Sequence, residues 1–344
     1  MTDATSTNES DRRARLLALK LQALTRDQLT HDGVAVPDLT VGAFAPGAAI
    51  MAGDAAWVLI DQPASDGRGL GPALIWASRQ GATSLNVIAD EGTGVLARRA
   101  AEFALPTTVW RAAGRNLLLA ERAPIESPPQ PVADHLRFLP DIEAAGATPL
   151  VEHGAVVGEV RGLEVCRVVD ADGAARLDVG VGVHDREAFA IIHAGVPVTE
   201  ALANVVASVA AVRDVAVPAH PLNRLAPERF LRWRLEQEPW LVGMASVRPA
   251  QPPAPRRNLK DRAACTARGE RLDGTEAVIV CSVGVDLDLI PYAADARLAA
   301  DAESGDSHPD EVIVVLPARD LVPVTSELAS ILRRPVSLVP LPAQ

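Results

Sequence analysis

Short apolar runs alternate with amphipathic stretches near both ends of the chain. The N-terminal runs predict strands over 56–61, 84–90 and 107–111, with helices over 70–80 and 94–104. The C-terminal runs predict strands over 277–283, 311–316 and 336–341, with helices over 289–302 and 321–333. Short apolar strands separated by helices are typical of parallel sheets covered on both faces. The pattern therefore predicts an α/β protein with two Rossmann-like βαβαβ units, whose similar strand spacing suggests a divergent duplication.

A middle segment with a different pattern separates the two units. Residues 156–169 and 175–183 are rich in strand formers, and Asp172-Gly173 between them predicts a two-residue hairpin turn. That turn sets Ala171 opposite Ala174, so 163–169 should pair with 176–182. Two amphipathic helices follow, over 198–212 and 227–238.

Pro-rich stretches at 124–132 and 249–255 bound this middle segment and favour separate lobes on either side of it. An N-terminal helix is expected over 11–29, with Asp11 as its N-cap and residues 1–10 as a tail. The predicted organisation is a tail and helix over 1–33, a first α/β unit over 50–123, a hairpin and helices over 140–248, and a second α/β unit over 258–344.

Composition and motifs exclude several classes of protein. The chain of 344 residues contains no run of about 20 apolar residues, and its polar start lacks the features of a signal peptide. We therefore expect a cytoplasmic protein. Three cysteines without a CxxC motif indicate buried thiols rather than a disulfide framework. The seven histidines show no zinc-binding spacing, and no motif assigns a cofactor.

Charge is distributed unevenly along the chain. The whole chain carries −11, yet residues 224–271 hold eleven basic and five acidic residues, a local net charge of +6. This asymmetry favours an anionic partner, with nucleic acid as one example. The candidate anion-binding residues are Arg229, Arg232, Arg234, Arg256, Arg257 and Lys260, with Trp233 or Trp240 available for stacking. The alternative is a salt-bridged surface helix, because Glu228, Arg232 and Glu236 stand four residues apart.

Acidic residues around the predicted hairpin form a second candidate site. They are Glu164, Asp178, Asp185 and Glu187. Carboxylates gathered there could hold Mg²⁺ for a metal-assisted phosphoesterase or nuclease. The carboxylate-x-Lys pair of such nucleases is lacking, since the nearest match is Glu159-x-Arg161. A solvated hairpin face is the competing interpretation, and no metal site is assigned.

The loops at the carboxyl ends of the predicted strands form a third candidate site, because ligands of open α/β sheets bind there. Their polar and glycine residues are Asp61, Asp66, Gly69, Asp90, Asp286 and Asp288. A site in these loops would suit a nucleotide-sensing regulator. However, Gly67-x-Gly69-x-Gly71 is not a GxGxxG motif, and no P-loop is present. The alternative is that the glycines shape a turn and the aspartates cap helices.

Two strings carry a resemblance. DVGVGVHDREAF (178–189) and HPLNRLAPERFLRWRL (220–235) resemble a family of uncharacterised conserved actinobacterial proteins. The resemblance covers most of the chain after the N-terminal tail and implies a cytosolic protein with an accessory role, without assigning a catalytic residue. The leading hypothesis is a cytosolic accessory or binding protein that recognises an anionic partner through the Arg-rich segment.

Overall fold

The computed structural model describes residues 3–45, 47–61, 67–171, 173–183, 185–186, 197–214, 217, 220–256, 263–304 and 311–342. Contacts group the chain into two units. Unit 1 contains Met1–Ile125, Val285–Asp295 and Val322–Val336. Unit 2 contains Glu126–Gly284, Ala296–Leu321 and Ser337–Gln344. The N-terminal helix therefore belongs to unit 1, together with two segments that the sequence suggests for the second α/β unit.

Unit 1 is built on a six-stranded sheet. Its elements are α1 (Asp3–His31), β1 (Leu39–Gly42), β2 (Gly47–Ala52), β3 (Ala55–Ile60), α2 (Leu70–Arg79), β4 (Ser84–Ala89), α3 (Thr93–Ala100), β5 (Thr107–Ala113) and β6 (Asn116–Leu119). The strands lie in the order β1-β2-β3-β4-β5-β6. β3, β4 and β5 are parallel, and the other pairs are antiparallel.

Helices bury both faces of this sheet. Strand side chains alternate between faces, and Ile50, Trp57 and Ile88 form one cluster with Leu21 and Leu24 of α1. Residues of the other parity, such as Val58 and Val87, are also buried but lie outside that cluster. α2 packs against β4 and α3 against β5. The predicted β-α-β-α-β order is present, although β3 is an inner strand rather than the first, because β1 and β2 precede it.

The middle part of unit 2 holds a four-stranded antiparallel sheet. Its elements are α4 (Ala133–Leu136), α5 (Leu139–Ala144), β7 (Thr148–Glu152), β8 (Ala155–Val160), β9 (Leu163–Ala171), β10 (Ala174–Val179) and α6 (Val198–Val212). The strand order is β10-β9-β8-β7. The predicted hairpin is confirmed, with Ala171 opposite Ala174.

The ladder of this hairpin joins 166–171 to 174–179 and is shorter than predicted, and Asp172 lies outside the described residues. The single strand-rich stretch expected over 156–169 is instead two strands, β8 and β9. They are joined at Arg161 and Gly162, both with positive φ.

A five-stranded sheet forms the C-terminal part of unit 2. The elements of this part of the chain are α7 (Pro227–Gln237), β11 (Ser246–Ala250), β12 (Cys265–Glu270), β13 (Glu276–Cys281), α8 (Leu289–Ser304), β14 (Glu311–Pro317), α9 (Pro323–Ser330) and β15 (Ser337–Leu341). The strand order is β11-β12-β13-β14-β15. β13, β14 and β15 are parallel, and the first two pairs are antiparallel.

The first five strands of the six-stranded sheet share one order of elements with the five-stranded sheet. In each, a helix precedes three strands, and then helices alternate with two further strands. Pairing types agree as well: antiparallel, antiparallel, parallel and parallel. The β-α-β-α-β part of this order is the part that the sequence pattern predicts.

Parts of α8 and all of α9 belong to unit 1. The first residues of α8 and the whole of α9 fall in the segments Val285–Asp295 and Val322–Val336. α9 packs against α2, and Arg79 pairs with Glu327 at 3.1 Å. Unit 1 is therefore completed by residues distant in sequence.

The N-terminal helix begins earlier than expected. α1 starts at Asp3, so Asp11 lies inside the helix and is not its N-cap. No helix among the described residues is both long and apolar enough to cross a membrane.

Candidate functional site

Two of the predicted anion-binding arginines are buried in internal ion pairs. Arg229 donates to Glu159 and Glu152 at 2.5 Å each. Arg232 donates to the other oxygen of Glu159 at 2.5 Å and to Glu236 at 2.9 Å. We call these five residues the ionic cluster. The expected i, i+4 pair of Arg232 and Glu236 is present, but the helix is buried rather than a surface helix.

The position of α7 explains the ionic cluster. Leu231 and Leu235 on one side of the helix join the apolar core of the five-stranded sheet. Arg229 and Arg232, three residues apart, occupy another side and reach Glu159 on β8. Burial would raise the pKa of Glu159, but the guanidinium groups of Arg232 and Arg229 outweigh it and lower that pKa. Glu159 is therefore a buried, ionised carboxylate.

The remaining predicted arginines are dispersed. Arg234 pairs with Glu238 at 2.8 Å. Arg256 is engaged in contacts of its own, and Arg257 and Lys260 lie outside the described residues. Trp233 stacks on Phe230 and lies under the guanidinium of Arg161.

Trp240 is a different case, because 67% of its surface is exposed. It is the one of the two predicted stacking tryptophans that remains open to solvent. In contrast, other residues of the protein are partners for Arg229, Arg232, Arg234 and Trp233.

The hairpin carboxylates have separate partners. Glu164 is buried and accepts hydrogen bonds from Arg167 and Arg186, each at 2.7 Å. Asp178 pairs with Arg176, and Asp185 accepts a hydrogen bond from the backbone of Val181. Glu187 lies outside the described residues. Within the described part of the chain, no three His, Cys, Asp or Glu side chains are grouped to hold a metal ion.

The predicted loop residues of unit 1 are partly brought together. Gly69 and Asp288 are hydrogen-bonded, and Asp286 pairs with Arg68 at 3.0 Å. Asp61 and Asp90 instead pair with residues of α1, Arg13 at 2.8 Å and Lys20 at 3.6 Å. Asp66 lies outside the described residues.

The amino end of α2 binds the buried carboxylate of Asp288. The backbone N–H groups of Gly69 and Gly71 donate to its two oxygens at 2.8 and 3.0 Å. A Cβ at Gly71 would lie 1.8 Å from the carbonyl oxygen of Leu287, so the backbones can approach only because this residue is glycine. Burial raises the pKa of Asp288. The N–H groups that could have held a phosphate thus bind a carboxylate of the same chain.

An open groove beside α1 is a feature that the sequence analysis did not find. It has a volume of about 420 Å³ and lies between one flank of α1 and the turn joining β1 to β2. Its lining residues are Ala14, Arg15, Ala18, Leu19, Gln22, Val41, Gly42, Ala43, Phe44, Gly47 and Ala48. We call this cavity the α1 groove. Pockets that hold small molecules are mostly apolar and of similar volume.

The rim of the α1 groove carries a cation. Arg15 is exposed and forms no ion pair with any side chain that the structure describes. Leu19, 54% exposed, lies one helical turn further along, and Val41 faces it from β1 with half of its surface exposed. The sequence feature that could have indicated this groove is the number of leucines on α1. Leu16 and Leu19 are exposed, so α1 has more leucines than the core uses.

Comparisons with protein-family models, with curated proteins and with solved structures give no match to this chain.

Proposed function

We propose that this protein is a non-catalytic binding protein that holds an anionic amphiphile of medium chain length in the α1 groove. The observation that carries the proposal is the combination of an open apolar groove with the guanidinium of Arg15 at its rim, which pairs with no carboxylate in the described part of the chain. The proposed partner is still anionic, as the Arg-rich segment suggests, but the proposed binding site lies in unit 1 rather than on α7.

The dimensions of the α1 groove support a short acyl chain. Its α1 lining runs from Ala14 to Gln22 through Arg15, Ala18 and Leu19, and eight helical steps extend about 12 Å. That length suits a chain of about ten carbons. Complete burial of eight methylene groups at about 0.8 kcal/mol each would supply roughly 6 kcal/mol, so tens of micromolar is the lower limit of the Kd that the chain alone can give.

Charge supports an acidic head group. Arg15 and Gln22 are the polar side chains of the lining, and the other lining residues are apolar or glycine. A carboxylate beside Arg15 would gain a charge-assisted hydrogen bond that an alcohol of equal length cannot match. The groove should therefore distinguish an acid from an alcohol at the same chain length.

The three functions considered from the sequence have less support. The Arg229 and Arg232 side chains are committed to Glu159, which removes them from an anion track. A nucleotide site of the Rossmann-like type would need free amides at α2, and Asp288 occupies two of them. The hairpin carboxylates Glu164 and Asp178 pair with different arginines, which speaks against a shared metal ion.

Calorimetric titration of the full chain with decanoate and with 1-decanol tests the proposal. We expect decanoate to bind with one site per chain and a Kd of tens of micromolar, and decanol several-fold more weakly. Arg15→Ala should remove that preference while retaining decanol binding. Arg26→Ala, a change of an exposed arginine on α1 outside the groove, should leave both affinities unchanged.

Filling the groove provides the complementary test. Ala14→Trp places an indole in the groove from an exposed helical position and should abolish binding of both probes. Ala23→Trp, at an exposed position of α1 outside the lining, is the matched control and should bind normally. Equal binding by the two tryptophan variants, each shown by circular dichroism to be folded, would reject the α1 groove as the site.

A further inference from the structure

Cys265 and Cys281 lie directly opposite each other on neighbouring strands. They are paired in the antiparallel ladder of β12 and β13. Both are free thiols, 4% and 0% exposed, within the apolar cluster that α7 covers. The fold therefore brings two of its three cysteines into contact across 16 positions of sequence.

The backbone geometry of this pair is compatible with a disulfide. Cα atoms of directly opposite residues in an antiparallel ladder lie about 4.5–5.5 Å apart. Disulfides bridge Cα atoms that are about 4.4–6.8 Å apart. Opposite side chains also emerge on the same face of the sheet. Joining the two sulfurs therefore needs a rotation of the side chains and no new strand register.

We propose that Cys265 and Cys281 form an oxidation site, at which a hydroperoxide converts the two thiols into a disulfide that links β12 to β13. The sulfur of one cysteine attacks the peroxide and becomes a sulfenic acid, and an alcohol leaves. The second sulfur attacks the sulfenic acid and water leaves. In total, two thiols and one hydroperoxide yield one disulfide, one alcohol and one water, so the thiols are oxidised and the peroxide is reduced.

The two sulfurs are not equivalent in this reaction. The neighbouring Cys265 side chain and burial both raise the pKa of Cys281, so that thiol is protonated near neutral pH. Cys265 is also the more accessible of the two. The peroxide therefore reacts first at Cys265, and Cys281 resolves the sulfenic acid. Because thiolates are the reactive form, the reaction is slow compared with that of an exposed, acidic cysteine.

Cys166 provides an internal control. It is buried in the four-stranded sheet, opposite Val179 and Gly158 rather than another cysteine. Burial raises its pKa to about 12. It lacks a neighbouring thiol that could resolve a sulfenic acid, so it should stay reduced when the Cys265–Cys281 pair is oxidised.

The experiment is oxidation of the reduced full chain with tert-butyl hydroperoxide, followed by alkylation of the remaining thiols under denaturing conditions and mass spectrometry without reductant. We expect the thiol content to fall from three to one, with the protein lighter by two hydrogen atoms before alkylation. The peptides containing Cys265 and Cys281 should be cross-linked, and the Cys166 peptide alkylated.

Single variants complete the test. Cys281→Ala and Cys265→Ala should each form no internal disulfide under the same treatment. In Cys281→Ala, the sulfenic acid formed at Cys265 has no thiol to react with, and it should be detected by its gain in mass. The proposal is overturned if three thiols remain after an exposure that fully oxidises dithiothreitol in the same tube. A disulfide that includes Cys166, or one that joins two chains, overturns it equally.

Discussion

The carboxylate of Asp288 accepts hydrogen bonds from the backbone N–H groups of both Gly69 and Gly71. These donors belong to the amino end of α2, where a helix attracts anions. A glycine-containing turn of this kind suggests a phosphate site when only the sequence is considered. In the folded protein, the turn instead binds a buried side chain from the start of α8 and completes unit 1.

The pH dependence of the free energy of unfolding should reveal that Asp288 is buried. Burial raises the pKa of Asp288 in the folded state, so the folded protein holds this proton more tightly than the unfolded chain. The stability from this group is thus present at low pH and lost as pH rises through the folded pKa. We expect the free energy of unfolding of wild type minus that of Asp288→Asn to fall as pH rises above about 4, the ordinary pKa of an aspartate.

Urea titrations at several pH values measure this difference. Asp90→Asn is the control, since the exposed Asp90 side chain pairs with Lys20 at 3.6 Å and should matter by about 0.5 kcal/mol or less. A difference for Asp288→Asn that rises with pH would contradict the account.

Loss of Glu159 should be strongly destabilising. Glu159→Gln removes the buried carboxylate that Arg229 and Arg232 share, and each of these buried arginines keeps only one other carboxylate of the ionic cluster. Breaking one side of a buried ion pair costs about 3–5 kcal/mol. Chemical denaturation should show that loss. Glu276→Gln breaks the more exposed pair with Arg248 at 3.2 Å and should cost less than about 1 kcal/mol. Similar losses in the free energy of unfolding for the two variants would show that the ionic cluster does not stabilise the fold.

Asp295 should be essential to unit 1. Its carboxylate is 1% exposed and accepts from Arg98 at 2.7 Å and from Arg99 at 3.0 Å. Asp295→Ala leaves two guanidinium groups near the core without their carboxylate and should cost about 3–5 kcal/mol. Thermal unfolding checks this expectation, with Glu327→Ala as the control because its pair with Arg79 is largely exposed. A melting temperature within about 2 °C of wild type would contradict it.

Alanine substitutions at Gly162 and Gly173 should distinguish the cost of backbone strain from the cost of a steric clash. Both have positive φ, +74° and +81°. A Cβ at Gly162 would lie 2.3 Å from the carbonyl oxygen of Arg229, whereas a Cβ at Gly173 meets no atom within 4 Å. Gly173→Ala should therefore cost about 1–2 kcal/mol from strain alone, and Gly162→Ala clearly more. Equal losses in urea unfolding would mean that α7 moves freely away from the β8–β9 turn.

Periodicity identified the elements that are long and regular. α6 has the predicted bounds, 198–212, and β3, β4 and β5 lie within about two residues of their expected positions. Two of the missed strands, β2 and β11, have poor strand sequences. β2 reads GAAIMA, rich in small residues with low β propensity, and β11 contains Pro249. Such strands form because their neighbours in the sheet fix them.

Site residues were harder to predict because burial depends on tertiary packing. The spacing of Arg229 and Arg232 correctly indicated a charged side of α7, but could not show that β8 covers it. Similarly, Asp288 is an ordinary helix-capping residue in the sequence, 217 positions from Gly71. The α1 groove depends on where α1 crosses the sheet, which no local pattern specifies.

Chemical-shift mapping of the isotope-labelled full chain tests the central claim most directly. Backbone amide spectra recorded during titration with decanoate should show saturable shifts at the residues that line the α1 groove, among them Ala14, Arg15, Ala18, Leu19, Gln22 and residues 41–44. The same titration of Ala14→Trp should lose these shifts, and that of Ala23→Trp should retain them. Shifts concentrated on α7 and β11, or no saturable shifts at millimolar decanoate, would contradict the proposed binding function.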